Sequence, residues 1–205
     1  MALRRAAQRL LASSGSATAN AMQATPDSLH SLMYTERLMH ETPEEVQRIW
    51  EEYHANSSVH SVHSLSPETY DAMCRTASES SVFLLPVEKN DGFVTMLLEM
   101  RLPKVQCTTV HEYKQSAEQA SPHVVATYFS ELRHSHNLVL ARADVLTNWL
   151  TVHDVSTLMQ RTHSFYTDPR RAEYVRLANR RSDLFDFNDV LHELGISPPS
   201  SDQQG

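Results

Sequence analysis

Apolar residues recur at helical spacing at both ends of the chain and in strand-like runs between them. Val46, Ile49, Trp50 and Tyr53 form one stripe of a helix. Its start is encoded just upstream: Thr42 is an N-cap residue, Pro43 suits the first helical position, and Glu45 stands where its carboxylate reaches back to the cap. Before it, Leu29, Leu32, Met33 and Leu38 predict a short helix within 28–40. After it, Val59 to Val62 predicts a short strand, and Ser66-Pro67 starts a helix with Tyr70, Met73 and Ala77 inward.

The middle of the chain then changes period. Val82–Val87 is continuously apolar, Asp91-Gly92 is a turn signal, and Phe93–Met100 is apolar on both faces, as an interior strand requires. Lys104–Tyr113 alternates, with Val105, Cys107, Thr109 and His111 on one side and Gln106, Thr108 and Val110 on the other. Val124–Phe129 and Leu138–Val145 supply two more strands, and the short connections favour antiparallel pairing. Helical spacing returns at Val152, Val155, Met159 and Tyr166. Asp168-Pro169 caps a further helix to about Asn179, and Asp186 caps a last one that buries Phe187, Val190, Leu191 and Leu194. Gly195 and Pro198-Pro199 stop it. Helices, then strands, then helices predict an α+β domain: a mainly antiparallel central sheet of about five or six strands, packed by N- and C-terminal helices.

The two ends differ from this pattern. Residues 1–26 carry Arg4, Arg5 and Arg9 and no acid, with Ala2, Leu3, Ala6, Ala7, Leu10 and Leu11 covering most of a helix and serine, alanine, threonine and asparagine following. That composition is expected of a mitochondrial transit peptide, with Arg9-Leu10-Leu11-Ala12 resembling a processing site. The expected divisions are therefore a transit peptide over 1–26, a folded domain over 27–196 and a loose tail over 197–205. The expected destination is the mitochondrial matrix, whose reducing conditions suit two isolated cysteines, Cys74 and Cys107, at no metal-binding spacing.

Charge narrows the partners. Beyond residue 26 the chain has 15 basic and 25 acidic residues, a formal charge of −10. Such a domain repels phosphate backbones and anionic lipid, so nucleic acid is not an expected partner. No apolar run approaches the roughly 18 residues of a membrane span. Of four glycines, only Gly92 and Gly195 lie inside the predicted fold. A Walker loop or a dinucleotide fingerprint needs several, and the GxSxG elbow is also absent, so no directly bound nucleotide, no cofactor and no enzymatic activity are expected. Twelve histidines keep one alternative open: a matrix hydrolase or metalloenzyme using histidine ligands. Against it, HExxH is missing, His60 and His63 point to opposite faces of a strand, and His134 and His136 fall in a predicted hairpin loop.

The ordered motifs resemble a known family, the mitochondrial factors that assemble F(1)-ATPase by chaperoning its beta subunit. Ser28-Leu29-His30-Ser31-Leu32-Met33 is similar to the family's S-L-x-S-I-M segment. The run from Thr42 to His54 is similar to T-x-E-E-I-x-x-I-W-x-x-Y-H and is the most specific match. Phe83-Leu84-Leu85-Pro86, Gly92, Thr108, Val110, Tyr113 and Lys114 follow in order. Then come Tyr128-Phe129-Ser130-Glu131-Leu132, the Leu138-Val139-Leu140 strand, and Asn179, Phe185, Phe187, Val190, Glu193 and Leu194. The resemblance covers about residues 28–195. It departs at Glu88-Lys89, where the family usually has an arginine, at Glu99 for a glutamine, at Asn137 for a glycine and at Ser182 for a proline.

The resemblance implies a chaperone that binds the unassembled ATP synthase beta subunit. It would cover the surface destined for the alpha subunit until alpha displaces it. Tyr128, Phe129 and Leu132 are candidate contacts, as an aromatic group at a strand end, and so are Met33 and Tyr34 ahead of the Thr42 cap. The competing reading makes Tyr128, Phe129 and Leu132 core, along with Trp50 and Tyr53.

Overall fold

The computed structural model describes residues 25–90, 92–117 and 120–197. The leader up to residue 24, the processing motif, Asp91 and the tail beyond 197 lie outside the described residues. The chain starts with a single 3-10 turn, Leu29–Ser31, and a one-turn helix α1, Thr35–Leu38, where the sequence predicts one continuous helix. Helix α2 spans Pro43–His54. Thr42 caps it by accepting the Glu45 N–H at 3.2 Å. Glu45 does not reach back to the cap as predicted; its carboxylate is taken by Arg48 one turn on.

Strand β1 is His60–Leu65 and leads through Ser66 into helix α3, Pro67–Glu79. Strands β2, Val82–Lys89, β3, Gly92–Arg101, and β4, Lys104–Thr109, form a meander. The predicted strand to Tyr113 is cut short: Thr109 accepts the Glu112 N–H at 3.2 Å and starts helix α4, Val110–Gln115. A threonine with an acid three positions on is a cap signal that outweighs the alternation downstream. Strands β5, Val124–Phe129, and β6, Val139–Val145, complete six antiparallel strands in the order β1-β6-β5-β4-β3-β2. Asn137 turns the chain into β6 at φ 52°, the left-handed conformation asparagine tolerates.

Helix α5, Val152–Thr167, carries a full capping box between Thr151 and Asp154. Helix α6, Arg171–Arg180, is preceded by Asp168, which accepts the N–H groups of Arg170 and Arg171. Helix α7, Phe187–Glu193, is capped by Asp186 and closed by Gly195 at φ 70°. The Ile196 and Gly195 N–H groups bond back to Leu191 and His192 carbonyls, the Schellman arrangement.

The sheet separates two cores. On one face, Phe83, Leu85, Met96, Leu98, Val105, Cys107, Val124, Ala126, Ala141 and Ala143 meet α3, α5 and α6 through Met73, Val155, Leu158, Phe165 and Val175. On the other, Leu29, Leu38, Val46, Trp50, Phe129, Leu132, Leu138 and Leu140 close one corner under the N-terminal segment and α2. Val82, Leu84 and Leu97 close the opposite corner under Val110, Tyr113, Phe185 and Phe187.

Candidate functional site

The second face of the sheet is not apolar throughout. Cross-strand register sets Arg142 beside Thr127, Thr127 beside Lys104 and Lys104 beside Arg101. In the adjacent row stand His60, Asp144, Val125, Gln106 and Glu99. This polar band runs diagonally between the two apolar corners, and Glu99, Lys104, Gln106, Thr127, Arg142 and Asp144 are all buried. Its charges are paired. Arg142 Nη2 donates to Asp144 at 2.7 Å, Lys104 Nζ to Asp27 at 2.6 Å and Arg101 Nε to Glu99 at 2.6 Å. Burial pushes the Glu99 carboxyl up, with Arg101 opposing. The departure at Glu99 is thus absorbed by an ion pair within the sheet, and that at Glu88 by a pair with Arg161 at 2.6 Å. The band ties the N-terminal segment to the sheet; its neutralised, buried charges are arranged for structure.

The histidines divide between the faces as the strand period requires. His60 approaches Asp144 at 3.3 Å and the His54 ring at 5.6 Å, on the α2 side. His63 lies on the α5 side, 5.4 Å from the His163 ring, and the Tyr128 hydroxyl meets His163 Nε2 at 2.8 Å. Burial lowers the His54, His60 and His63 values, and takes His163 down to about 3, helped by His63. His136 is buried rather than exposed in its loop, with its Nε2–H donating to the Glu41 carbonyl at 3.2 Å. Among the described residues, no three histidine, cysteine, aspartate or glutamate side chains converge as a metal site would require. Burial pushes the Cys107 thiol up to about 12 and raises Cys74, the opposite of what a cysteine nucleophile needs.

The candidate contact residues separate cleanly. Tyr128, Phe129 and Leu132 are 3%, 1% and 1% exposed, so they belong to the core and are not offered to a partner. Phe129 stacks edge-on to Trp50 at 5.8 Å, and Tyr128 faces Tyr70 at 5.6 Å. The reason is topological: β5 is an interior strand, with β4 and β6 on its flanks and helices over both faces. Met33 packs half-buried against the second core. Tyr34 is 81% exposed, with the Arg37 guanidinium 5.4 Å from its ring. The turn that carries both is anchored by Glu131, whose carboxylate accepts the Leu29 N–H at 2.6 Å.

Sequence reasoning missed the rest of the surface. Tyr53 is exposed although it extends the α2 stripe, and Met39, Val59, Leu146 and Leu184 are exposed as well. Tyr53 lies ring to ring with His54 at 4.7 Å at the end of α2, and the Val145 N–H bonds the Val59 carbonyl just before β1. The available signal was Tyr53 standing between charged and polar neighbours at the margin of the stripe. Among the described residues no helix is long and apolar enough to cross a membrane.

A fold of this kind can bind protein through exposed aromatic and aliphatic side chains beside a fixed framework. Comparison with known proteins identifies the family. A family model described as "ATP11 protein" matches residues 3–191. The chain is 23% identical over 170 residues to the Homo sapiens protein named ATP synthase mitochondrial F1 complex assembly factor 1, covering 82% of this chain and 51% of that one. The Mus musculus protein of the same name gives 23% over 170 residues, with 82% and 52% covered. The Danio rerio one gives 21% over 176 residues, with 83% and 58% covered. The chain spans about half the length of the curated relatives it matches. With the family pattern running through α2, all six strands and the C-terminal helices, the chain belongs to the ATP11 protein family, as the Thr42–His54 run and its ordered neighbours imply.

Proposed function

We propose that this chain is an assembly chaperone for the catalytic head of mitochondrial ATP synthase, which it serves by binding and not by catalysis. It holds the unassembled beta subunit in the matrix and shields the surface that alpha will occupy, until alpha displaces it. The observation that carries the reading is the family match over residues 3–191, joined to relatives that are named F1 complex assembly factors. Residues 1–26 act as the import signal, and 197–205 as a tail without a binding role.

Physical chemistry supports the division of labour. An unassembled subunit exposes apolar surface that drives aggregation. Covering that surface and releasing it to a tighter partner needs only a difference of affinities, so a chain with two glycines in its described domain and no phosphate loop is equipped for the task. Tyr34 and Met33 supply the apolar contact, with Tyr53 exposed at the far end of α2. The test is capture from mitochondria with the imported form of this chain. Free beta subunit with little alpha is expected, and depletion of the chain should leave beta aggregated. Soluble, fully assembled heads after depletion would defeat the reading.

A further inference from the structure

We propose that the β1 edge of the sheet is a strand-addition site, where an extended segment of the client pairs with the main chain of His60, Val62 and Ser64. The inference rests on the chaperone reading and says how that chaperone grips.

The register fixes which groups are free. Val145 N–H bonds the Val59 carbonyl, so Val59, Ser61, His63 and Leu65 face β6 with their hydrogen-bonding groups. His60, Val62 and Ser64 turn theirs outward, and among the described residues those N–H and C=O groups have no partner. The opposite edge is treated differently. Met100 N–H bonds the Ser81 carbonyl, which turns Val82, Leu84, Pro86 and Glu88 outward on β2. There the Asn179 side chain accepts the Val82 N–H at 3.2 Å and donates to its carbonyl at 2.6 Å. Arg161 Nη1 donates to the Pro86 carbonyl at 2.9 Å, and Pro86 has no N–H to offer. Edge strands are commonly protected by proline, lysine or side-chain plugs. The β2 edge has proline and plugs; β1, with the sequence HSVHSL, has none of these.

The surroundings specify the occupant. Helix α2, which packs on β1, carries Glu44, Glu45, Glu51 and Glu52 against Arg48 alone, and Arg48 is shared between Glu45 and Glu52. Val59, immediately before β1, is exposed, and so is Leu146, which follows its partner strand β6. The chemistry that fits is an extended client segment with alternating apolar side chains and basic flanking residues. Its backbone completes the ladder, and its cations face the glutamates.

The experiment uses the full chain and the isolated beta subunit. Ser64→Pro removes an outward N–H and leaves the bonds to β6 intact, because Ser64 is not a bonded partner of β6. Capture of beta should weaken by about tenfold or more, the loss of roughly one good hydrogen-bonded contact, with the melting temperature unchanged. Ser64→Ala should bind as the parent does. Equal capture by a folded Ser64→Pro protein overturns the edge inference and leaves the chaperone reading standing; absence of capture by the parent chain overturns the chaperone reading itself. Should Ser64→Pro fail to fold, amide hydrogen exchange on the parent complex decides the matter. Exchange at His60, Val62 and Ser64 should slow by about tenfold or more when beta is bound. Unchanged exchange in the complex would overturn the inference, as would protection that appears without beta and grows with chain concentration, which would place a second copy on the edge.

Discussion

The two faces of the sheet are buried by different means. The face under α3, α5 and α6 is one continuous apolar layer with the large side chains Phe83, Met73, Leu98, Phe165 and Tyr166 at its centre. The opposite face has apolar packing only at two corners, separated by the band of Arg101, Lys104, Gln106, Glu99, Arg142 and Asp144. The first face gains stability from the area it removes from water, at the cost of one buried hydroxyl, that of Tyr166, with no hydrogen-bond partner among the described residues. The second gains little net free energy from its charges, since the cost of desolvating each ion cancels much of the attraction. What those charges supply is position: Lys104 fixes Asp27 and holds the N-terminal segment that carries Tyr34.

That contrast can be broken most forcefully on the apolar face. Phe165→Ala should cost about 3–5 kcal/mol in chemical denaturation, because the side chain is fully buried against Phe83 and the surrounding elements cannot collapse into the space. On the polar face, Arg142→Met should cost about 3 kcal/mol by leaving Asp144 buried beside only His60. The double replacement with Asp144→Leu should recover most of that loss. A double variant as unstable as the single one would mean that the band contributes more than position.

Protonation sharpens the contrast from the apolar side. His163 is held down to about 3 by burial and by His63, against an ordinary value near 6.5 when the chain is unfolded. Between those values the unfolded state binds more protons, so stability is complete above about pH 6.5 and falls as pH is lowered toward 3. His163 alone should remove about 2 kcal/mol by pH 5. His163→Gln, which keeps a partner for the Tyr128 hydroxyl, should flatten the stability profile between pH 6.5 and 5. An unaltered profile would locate the acid sensitivity elsewhere. The smallest effect lies at the exposed start of α2. Thr42→Ala should cost about 1 kcal/mol in melting experiments, the usual value of one N-cap.

Much of the fold was legible because its signals act within one turn. Thr42-Pro43, Ser66-Pro67, Asp168-Pro169 and Asp186 each begin or precede a helix where the sequence places one, and Gly195 ends the last. The strand read from Val82 and the one read to Val145 appear with nearly the expected limits. The errors arose where two local signals competed. The alternation after Thr108 looked like more strand, while Thr109 and Glu112 were already a helix cap. The site was less legible than the fold. Tyr34 is exposed, as an anchor would need to be, but Tyr128, Phe129 and Leu132 have the same composition as an interface and the same composition as a core. Only the position of β5 between two strands and two layers separates those meanings.

By itself the sequence determined most of the element order, the starts of α2, α3, α6 and α7 and the stop of α7, the antiparallel α+β class and the family. These depend on residues a few positions apart, whose geometry is settled by hydrogen bonds within a turn and by side-chain period. Tertiary structure alone decided which strands became edges, which aromatic side chains were covered and where the N-terminal segment lies. Those outcomes rest on contacts such as Leu29 with Glu131, Asn179 with Val82 and Lys104 with Asp27, between residues far apart in the chain. Exposure is a property of what packs on top of a residue, and no local pattern carries that information.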